Sequence, residues 1–448
     1  MREAGWSFRI LLAGTICGLA LECLRPARAQ ELSPELRLLV RVKSHILNEV
    51  SNLPNYTCLE TVARFHRQLI TTPSGHVELH RLEPLDTVVL EVVYSNHQEF
   101  YGATGDRELS VVDPTKFVGS GLMGTGAYAL TLHNALEASR VTFAANETLA
   151  GRPTGKFDFH VLGKAVEISI PGGIGTVGEK GSYWVDSTSL DLQRLEAHAI
   201  DIPAYLPLKE ASMAVNYARM QLGESPVLLP QQAHLHLTQT SGVEDYDWIE
   251  FTHCREFSAQ SAIHFDSGSH DLPGPSPADH ARTRSAGAAM AGAVPPFLRM
   301  NLHLTTPITN KDEVGRPIEA RVSGDVVNKG TIVVRNGSLV RGRIRRLEHY
   351  RGTGGADYIV GIEFTEVEGV QGPLRFYADL VSMDKRPEIR PSLSERVLVK
   401  STVGFEPETQ TIVIPELPGV ASFFVRGTPF TLPAGFGMVW RTRGLIRQ

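Results

Sequence analysis

The chain has 448 residues, its hydrophobic content is 42%, and its formal net charge at pH 7 is −5. This length allows two or three globular domains. Because the net charge is small for the size, the overall charge does not favour binding to nucleic acid, and we expect no nucleic-acid partner.

The first 29 residues have the pattern of a secretory signal peptide. Arg2 and Arg9 precede a short apolar run at 10–21, which is too short for a bilayer span of about 20 residues. Ala27-Arg28-Ala29 then forms a small-x-small cleavage site, so the mature chain would begin at Gln30. We therefore predict a periplasmic or otherwise exported protein that has no transmembrane span after signal cleavage.

Lipid attachment at Cys23 is the alternative for this segment. The residue before a lipidated cysteine is normally small, and here it is Glu22. We therefore predict cleavage without lipidation.

One helix is predicted at the start of the mature chain. Ser33 is a suitable N-cap and Pro34 suits the first turn. An apolar stripe follows at helical spacing, and Asn52-Leu53-Pro54 ends it; the stripe comprises Leu36, Leu39, Val40, Ile46, Leu47 and Val50. A second amphipathic helix is predicted at 127–138.

Most of the chain between these helices and residue 257 has the composition of strands separated by turns. The predicted strands are 56–65, 87–94, 156–162, 166–170, 182–185, 193–200, 212–220, 232–238 and 247–257. Such short spacing favours an antiparallel meander. We predict a curved antiparallel half-barrel with covering helices over residues 30–257.

Cys58 and Cys254 are the two cysteines that remain after signal cleavage. An even pair in an oxidising compartment predicts one disulfide. It would close a loop of roughly 200 residues and stabilise the fold by about 5 kcal/mol in the chain-entropy model. Two buried free thiols are the alternative.

Composition changes after residue 257. Residues 258–295 are rich in Ser, Ala, Pro and Gly and predict a flexible linker. Strand patterns resume over 296–446, where we predict a separate C-terminal β-barrel or β-sandwich domain. Within it, Asn336-Gly337 predicts a hairpin turn between strands at 331–335 and 339–347.

The first half resembles LolA-like (LolA/RseB-type) envelope proteins. The matching residues are Tyr183-Trp184-Val185-Asp186 with Gln193-Arg194-Leu195-Glu196, and 53–61, which is similar to the first strand of exported acidobacterial-type members. The resemblance covers roughly 30–257. It implies an open half-barrel around helices whose hollow holds lipid acyl chains, a lipoprotein or a signalling partner.

The second half resembles the soluble β-barrel domain of TrbI-type conjugation scaffold proteins. The matching segments are 304–308, 315–322 and 337–343. This resemblance implies a docking or assembly module in a non-enzymatic envelope assembly.

A half-barrel of this kind would use inward side chains to line a ligand cavity. We predict that the lining comes from the first helix, the strand at 87–94 and the Trp-Val-Asp passage. The predicted cavity residues are Leu39, Ile46, Val88, Leu90, Val92, Tyr94 and Trp184.

Two glycine-rich segments, 119–124 and 173–178, match the dinucleotide-binding fingerprint. That fingerprint requires a strand, a glycine turn and a helix in a parallel unit. Residues 173–178 lead directly into a strand, so we interpret them as a loop between strands. We predict no cofactor.

His76, Glu78 and His80 would share one face of a strand and are weak candidates for zinc ligands. An exposed polar strand face explains the pattern equally well, and we predict no metal.

Arg341, Arg343 and Arg345 alternate along another predicted strand and could form a patch for an anionic partner. The alternative is a solvated face balanced by carboxylates, namely Glu348, Glu363, Glu366 and Glu368.

No catalytic motif is present, so the sequence offers no residue to assign as a catalyst and we predict a protein that is not an enzyme. The leading hypothesis is an exported cell-envelope protein that binds a lipid, a lipoprotein or another hydrophobic ligand in the half-barrel cavity. The alternative is a structural, assembly or sensing protein that docks an envelope protein partner without a small ligand.

Overall fold

The computed structural model of the protein describes residues 33–67, 69–71, 77–79, 81–95, 98–104, 118, 139–170, 173–256, 292–352, 355–390, 397–401, 408–412, 417 and 419–444. These residues form mainly antiparallel strands and one helix. The predicted mainly β fold class is confirmed. No helix in the described ranges is long and apolar enough to cross a membrane.

Helix α1 spans Pro34–Ser51. Its N-cap is Ser33, whose side chain accepts a hydrogen bond from the Leu36 amide at 3.2 Å. Of the predicted apolar stripe, Ile46 and Val50 are buried, and Val42, which the stripe did not include, is buried with them. Leu36 and Val40 are 42% and 51% exposed, so this part of the predicted stripe is wrong. The second predicted helix, at 127–138, lies outside the described residues.

The first sheet has ten strands and curls into a half-barrel, with α1 on its inner face. Its strands are β1 Tyr56–Arg67, β4 Glu83–Ser95, β5 Gln98–Ala103, β6 Ser139–Leu149, β7 Arg152–Ile170, β8 Gly173–Asp186, β9 Leu192–Ile200, β10 Leu208–Leu222, β11 Ser225–Gln239 and β12 Glu244–Glu256. The spatial order is β5-β4-β1-β12-β11-β10-β9-β8-β7-β6. Strands β2 Leu69–Thr71 and β3 Val77–Leu79 pair separately.

The interpretation of 173–178 as a loop is wrong, because these residues begin strand β8 and pair with β7. Glycine occurs in the strand because another chain segment approaches it closely. A Cβ at Gly175 would lie 2.7 Å from Cδ1 of Leu206, and one at Gly181 would lie 1.9 Å from the Glu196 carbonyl oxygen.

Other differences concern strand limits. The two segments predicted at 156–162 and 166–170 belong to one strand, β7, with a register shift between Val161 and Val166. The edge strands β5 and β6 and the short strands β2 and β3 were not predicted.

The predicted disulfide is confirmed. Cys58 on β1 and Cys254 on β12 are bonded across a sequence separation of 196 residues. These two strands are paired along nearly their whole length, from Tyr56–Glu256 to Arg67–Glu244. The bond therefore joins the strands that come first and last in this sheet in chain order.

The second sheet has nine strands in the order β21-β27-β13-β15-β18-β19-β25-β22, with β20 paired to β19. They are β13 Arg299–Leu304, β15 Pro317–Ser323, β18 Leu339–Gly352, β19 Gly355–Gly369, β20 Gly372–Arg375, β21 Ala378–Met383, β22 Ile389–Arg390, β25 Ala421–Arg426 and β27 Gly437–Thr442. Three two-stranded sheets accompany it: β14 Ile308–Thr309 with β26 Thr431–Leu432, β16 Val326–Asn328 with β17 Thr331–Val334, and β23 Val397–Ser401 with β24 Glu408–Ile412.

The predicted hairpin at Asn336-Gly337 is wrong in its pairing. Gly337 does adopt a turn conformation, with φ +82°. However, β17 pairs with β16, whereas β18 pairs with β15 and β19. Asn336 instead accepts a hydrogen bond from the Gly324 amide through its side chain, at 2.9 Å. Longer-range pairing of β18 therefore outweighs the local turn preference.

The two sheets are joined through main-chain hydrogen bonds. The Val89 amide donates to the Val314 carbonyl at 2.9 Å, and the Val314 amide donates to the Thr87 carbonyl at 2.8 Å. Strand β5 pairs with β4 only from Leu90 onward. The backbone of Val314 therefore pairs with the preceding part of the same edge of β4, which β5 does not cover. The domain limits predicted from composition, 30–257, 258–295 and 296–446, stay predictions.

Removing the disulfide should destabilise the first sheet. We expect Cys58→Ala with Cys254→Ala to lower the free energy of unfolding by about 2–5 kcal/mol, because the unfolded chain regains its loop entropy. Urea unfolding measures the change. Reductant should shift the wild type equally and leave the double variant unaffected; a wild type insensitive to reductant would contradict the prediction.

Gly315 should be essential to the joint between the sheets. Its φ is +97°, and a Cβ there would lie 2.3 Å from the Val89 carbonyl oxygen. We expect Gly315→Ala to lower the free energy of unfolding by about 3 kcal/mol, since backbone strain and a steric clash add together.

The matched control is Gly337→Ala, where φ is +82° but nothing lies within 4 Å of the added Cβ. It should cost only about 1 kcal/mol. Hydrogen exchange at the Val89 and Val314 amides should accelerate only in Gly315→Ala. Equal behaviour of the two variants would show that the close contact has no role.

Candidate ligand-binding site

The inner face of the first sheet is the face that α1 covers. A Cβ at Gly155 would lie 3.7 Å from Cδ2 of Leu38 on the helix, which places Gly155 and the residues opposite it on this face. One row of directly paired inward residues crosses the sheet, and each member is at most 1% exposed. The row is Val88, Val62, Ile249, Ala233, Val215, Leu195, Tyr183 and Phe157. This part of the inner face is a closed apolar core.

Two further rows of directly paired residues lie beside this one on the inner face. Their side chains are charged or ionisable on one half of the sheet and mostly small or apolar on the other half. On β4, β1 and β12 they carry Asp86, Arg64, Asp247, His66 and Asp245. On β11 to β7 they carry Leu235, Leu237, Ala211, Met213, Ala197, Ala199, Glu179, Gly181, Phe159 and Val161.

The charged half is covered by the second sheet. Arg64 donates to both carboxylate oxygens of Asp86 at 2.7 and 2.6 Å, and both side chains are 1% exposed. On β18, Glu348 accepts from Arg346 at 2.7 Å and from the Tyr350 hydroxyl at 2.8 Å. These groups lie close enough for Glu348 to act electrostatically on Arg64.

The pKa values of this buried cluster follow from burial and ion pairing. Burial favours the neutral form of Glu348, but Arg346 outweighs it and the net pKa is lowered. Burial raises the pKa of Asp245 despite a hydrogen bond from Gln239. Burial also lowers the pKa of His66, whose ring centroid lies 6.3 Å from that of Tyr350. The charged half is therefore a paired interface between the two sheets.

The small half forms what we term the small-residue gap, defined by Glu179, Gly181, Ala197, Ala199 and Ala211. The buried apolar residues on its two sides form separate clusters. One cluster includes Phe159, Val161, Tyr183 and Ala197, and the other comprises Ile170, Val177, Leu206, Leu208 and Leu237. Of the described residues, only Leu235 packs against both. Short side chains therefore line the inner face at this level, where the two apolar clusters are not joined into one.

Glu179 lies in this gap between Val161 on β7 and Ala199 on β9. It is 8% exposed, and burial alone raises its pKa to about 7. None of the described side chains forms a hydrogen bond or an ion pair with it. Tyr183, on the same strand and face, also has a buried hydroxyl without a hydrogen-bond partner in the described part of the chain.

Most of the predicted cavity residues lie in the closed core. Ile46, Val88, Leu90, Val92 and Tyr94 are at most 1% exposed, and Leu39 packs at the edge of the same cluster. Their role in ligand binding stays a prediction.

Trp184 is on the opposite face, which corrects its inclusion in the predicted cavity. Strand alternation puts it outside when Tyr183 faces inward. Its indole donates to Glu147 at 2.8 Å, and the Lys156 ammonium lies 4.9 Å from its ring centroid.

The predicted arginine patch is occupied by carboxylates. Arg341 donates to Glu366 at 2.9 Å and Arg345 to Glu363 at 2.6 Å. Register shifts at 341/342 and 344/346 also interrupt the alternation that would put Arg341, Arg343 and Arg345 on one face. The contacts correspond to the alternative of a charge-balanced face, and binding of an anionic partner stays a prediction.

The weak metal candidates cannot be placed. His76 and His80, and the side chain of Glu78, lie outside the described residues, as does the glycine motif at 119–124. Among the residues that the structure describes, no group of three or more His, Cys, Asp or Glu is arranged to hold a metal ion.

Sequence reasoning missed the small-residue gap. Glu179 follows a glycine-rich segment that we interpreted as a loop, and Ala197 and Ala199 occur in a predicted strand without a distinctive motif. Alternation of alanine with polar residues along 196–199 was the available signal. Only the strand register could show that these alanines lie beside Glu179.

No protein-family model matches the sequence, and no curated protein matches it. The chain is similar to the crystal structure of a DUF1329 family protein from Desulfovibrio piger, with 10% identity, coverage of 51% of this chain and 95% of that one, and a TM-score of 0.28. It is also similar to an outer membrane lipoprotein-sorting protein domain from Vibrio parahaemolyticus, with 9% identity, coverage of 50% and 93%, and a TM-score of 0.27.

At these TM-scores neither match carries an argument about the fold or the function of this chain. The LolA-like and TrbI-type resemblances therefore stay predictions.

The raised pKa of Glu179 should appear in the pH dependence of stability. The unfolded carboxyl loses its proton near pH 4.5, whereas the folded one keeps it until about pH 7. The native state then binds more protons than the unfolded state, so this group makes folding less favourable as pH rises from about 4.5 to 7.

We expect Glu179→Gln to remove a decrease of about 2–3 kcal/mol across that range. Urea unfolding at pH 4.5, 6 and 7.5 measures the difference from the wild type. Glu167→Gln, an exposed carboxylate on the other face of neighbouring β7, should keep the wild-type profile. Parallel profiles for the wild type and Glu179→Gln would refute an elevated pKa.

Proposed function

We propose that this chain is an exported, non-catalytic cell-envelope protein that binds a hydrophobic ligand, such as a lipid or the acyl part of a lipoprotein, on the inner face of its half-barrel. The observation that carries this proposal is the small-residue gap between two separate apolar clusters. A site lined by alanine and leucine, with a few polar groups, has the composition expected for binding an apolar molecule.

The position of the gap supports access by a ligand. Ala199, Ala211, Met213 and Leu235 all face inward yet keep partial solvent exposure, unlike the closed row beside them. Removing apolar surface of this kind from water stabilises a complex by about 25 cal/mol per Å² before the costs of association. An alkyl chain laid along the gap would contribute such surface.

Export is supported by two sequence features and one structural feature. Residues 1–29 have the pattern of a signal peptide, and its removal would take two of the four cysteines with it. The two cysteines that remain form the disulfide Cys58–Cys254. Disulfides persist in oxidising compartments such as the periplasm.

A second candidate function is docking of an envelope protein without a small ligand. It is supported by the closed core under α1, where Val88 and Val92 are fully buried. It is also supported by an apolar surface on the β16–β17 hairpin and the adjacent turn, where Val327, Ile332 and Val370 are 41–48% exposed. In this alternative the second sheet would be the assembly module.

Filling the gap should reduce binding of an apolar probe. We expect the wild type to bind N-phenyl-1-naphthylamine, an uncharged dye that fluoresces in apolar surroundings. Ala211→Leu puts a larger side chain into the gap and should weaken binding at least fivefold. Fluorescence titration measures the affinity, and native mass spectrometry of the purified protein would detect a co-purified lipid.

Ala214→Leu is the matched control, because Ala214 lies on the same strand but on the outer face. It should bind the dye as the wild type does. If the folded wild type binds no dye and carries no lipid, hydrophobic-ligand binding is wrong and protein docking becomes the better hypothesis.

A further inference from the structure

Glu179 differs from other buried carboxylates of this region because no described residue donates a hydrogen bond to it. Asp86 accepts two hydrogen bonds from Arg64, Asp245 accepts one from Gln239 at 3.1 Å, and Glu348 accepts from Arg346 and Tyr350. No described residue does this for Glu179, although 92% of its surface is buried.

The surroundings of Glu179 are apolar from each neighbouring strand. Val161 faces it from β7 and Ala199 from β9, while Val177 and Gly181 flank it on β8. The basic residues that the structure describes at the adjacent register positions, His160, Lys180 and His198, lie on the outer face. An apolar side chain would fill this position without a desolvation cost, whereas an unpartnered carboxylate carries one.

The desolvation cost of a buried carboxylate is explained if the carboxylate binds a ligand. We infer that Glu179 binds the ammonium group of an amphiphilic amine whose alkyl chain lies in the small-residue gap. This inference rests on the proposed function, and it names the chemical class of the ligand. The carboxylate would be the selective element, and the alanines and leucines around it would bind the chain.

Charge complementarity favours an amine over other amphiphiles. A carboxylate or phosphate headgroup beside Glu179 would place two negative charges together in an apolar site, which is strongly unfavourable. An uncharged headgroup would leave the carboxylate unneutralised. An ammonium supplies both the charge and the N–H donors, and charge-assisted hydrogen bonds are about twice as strong as neutral ones.

The experiment compares three amphiphiles that share a twelve-carbon chain: dodecylamine, dodecanol and dodecanoate. Their binding to the full mature chain is measured by displacement of N-phenyl-1-naphthylamine, below the micelle-forming concentration. We expect dodecylamine to bind at least tenfold more tightly than dodecanol, and dodecanoate to bind most weakly. The preference for the amine should grow between pH 6 and 8, as Glu179 loses its proton.

Glu179→Gln should lose at least tenfold in affinity for dodecylamine and keep the wild-type affinity for dodecanol. Glu167→Gln, on the outer face, should keep the preference for the amine. Circular dichroism and a thermal melt check that each variant is folded. If Glu179→Gln does not fold, the pH dependence of the wild type alone decides the inference.

The outcomes separate this inference from the proposed function. Equal binding of dodecylamine and dodecanol by the wild type, or an unchanged preference in folded Glu179→Gln, overturns the amine assignment and leaves hydrophobic-ligand binding intact. Failure of all three amphiphiles to displace the dye, or of the dye to bind, overturns both. Loss of the amine preference alone in Glu179→Gln supports the assignment.

Discussion

Pairing between β1 and β12 is the constraint on which the rest of the structure depends. β1 and β12 are the first and the last strand of the first sheet in chain order, yet they are neighbours in it, and the disulfide Cys58–Cys254 joins them covalently. On its other edge β1 pairs with β4. Directly opposed residues in a sheet share a face, and a slip of one residue would exchange the faces. This single register therefore decides that Arg64 lies between Asp86 and Asp247 on the inner face, where the second sheet can cover them.

The same register divides the inner face into parts with different partners. Its charged half is closed by β18 of the second sheet, through Glu348 and Tyr350. Buried ion pairs of this kind add little net stability, because desolvation offsets much of their attraction. They do penalise any misplacement of the second sheet, since a shifted Glu348 or Asp86 would remain buried without its arginine.

Much of the fold could be predicted from local sequence, because the responsible signals are local. Ser33 and Pro34 mark the start of α1, alternating apolar residues mark the central strands, and an even cysteine pair in an exported chain marks the disulfide. The candidate site could not be predicted, because it depends on cross-strand neighbours. Trp184 was assigned inward although Tyr183 beside it takes that face, and nothing near Glu179 in the chain shows that Val161 and Ala199 flank it.

The isolation of Glu179 is thus a property of the register and not of its local sequence. Lys180 and His198 are adjacent to the gap residues in the chain, yet the period of two along each strand turns both side chains to the outer face. A one-residue change in the register of β8 would exchange Glu179 for Lys180 and reverse the charge of the gap. The main-chain pairing of β8 with β7 and β9 therefore also determines which sign of charge a ligand would meet at the small-residue gap.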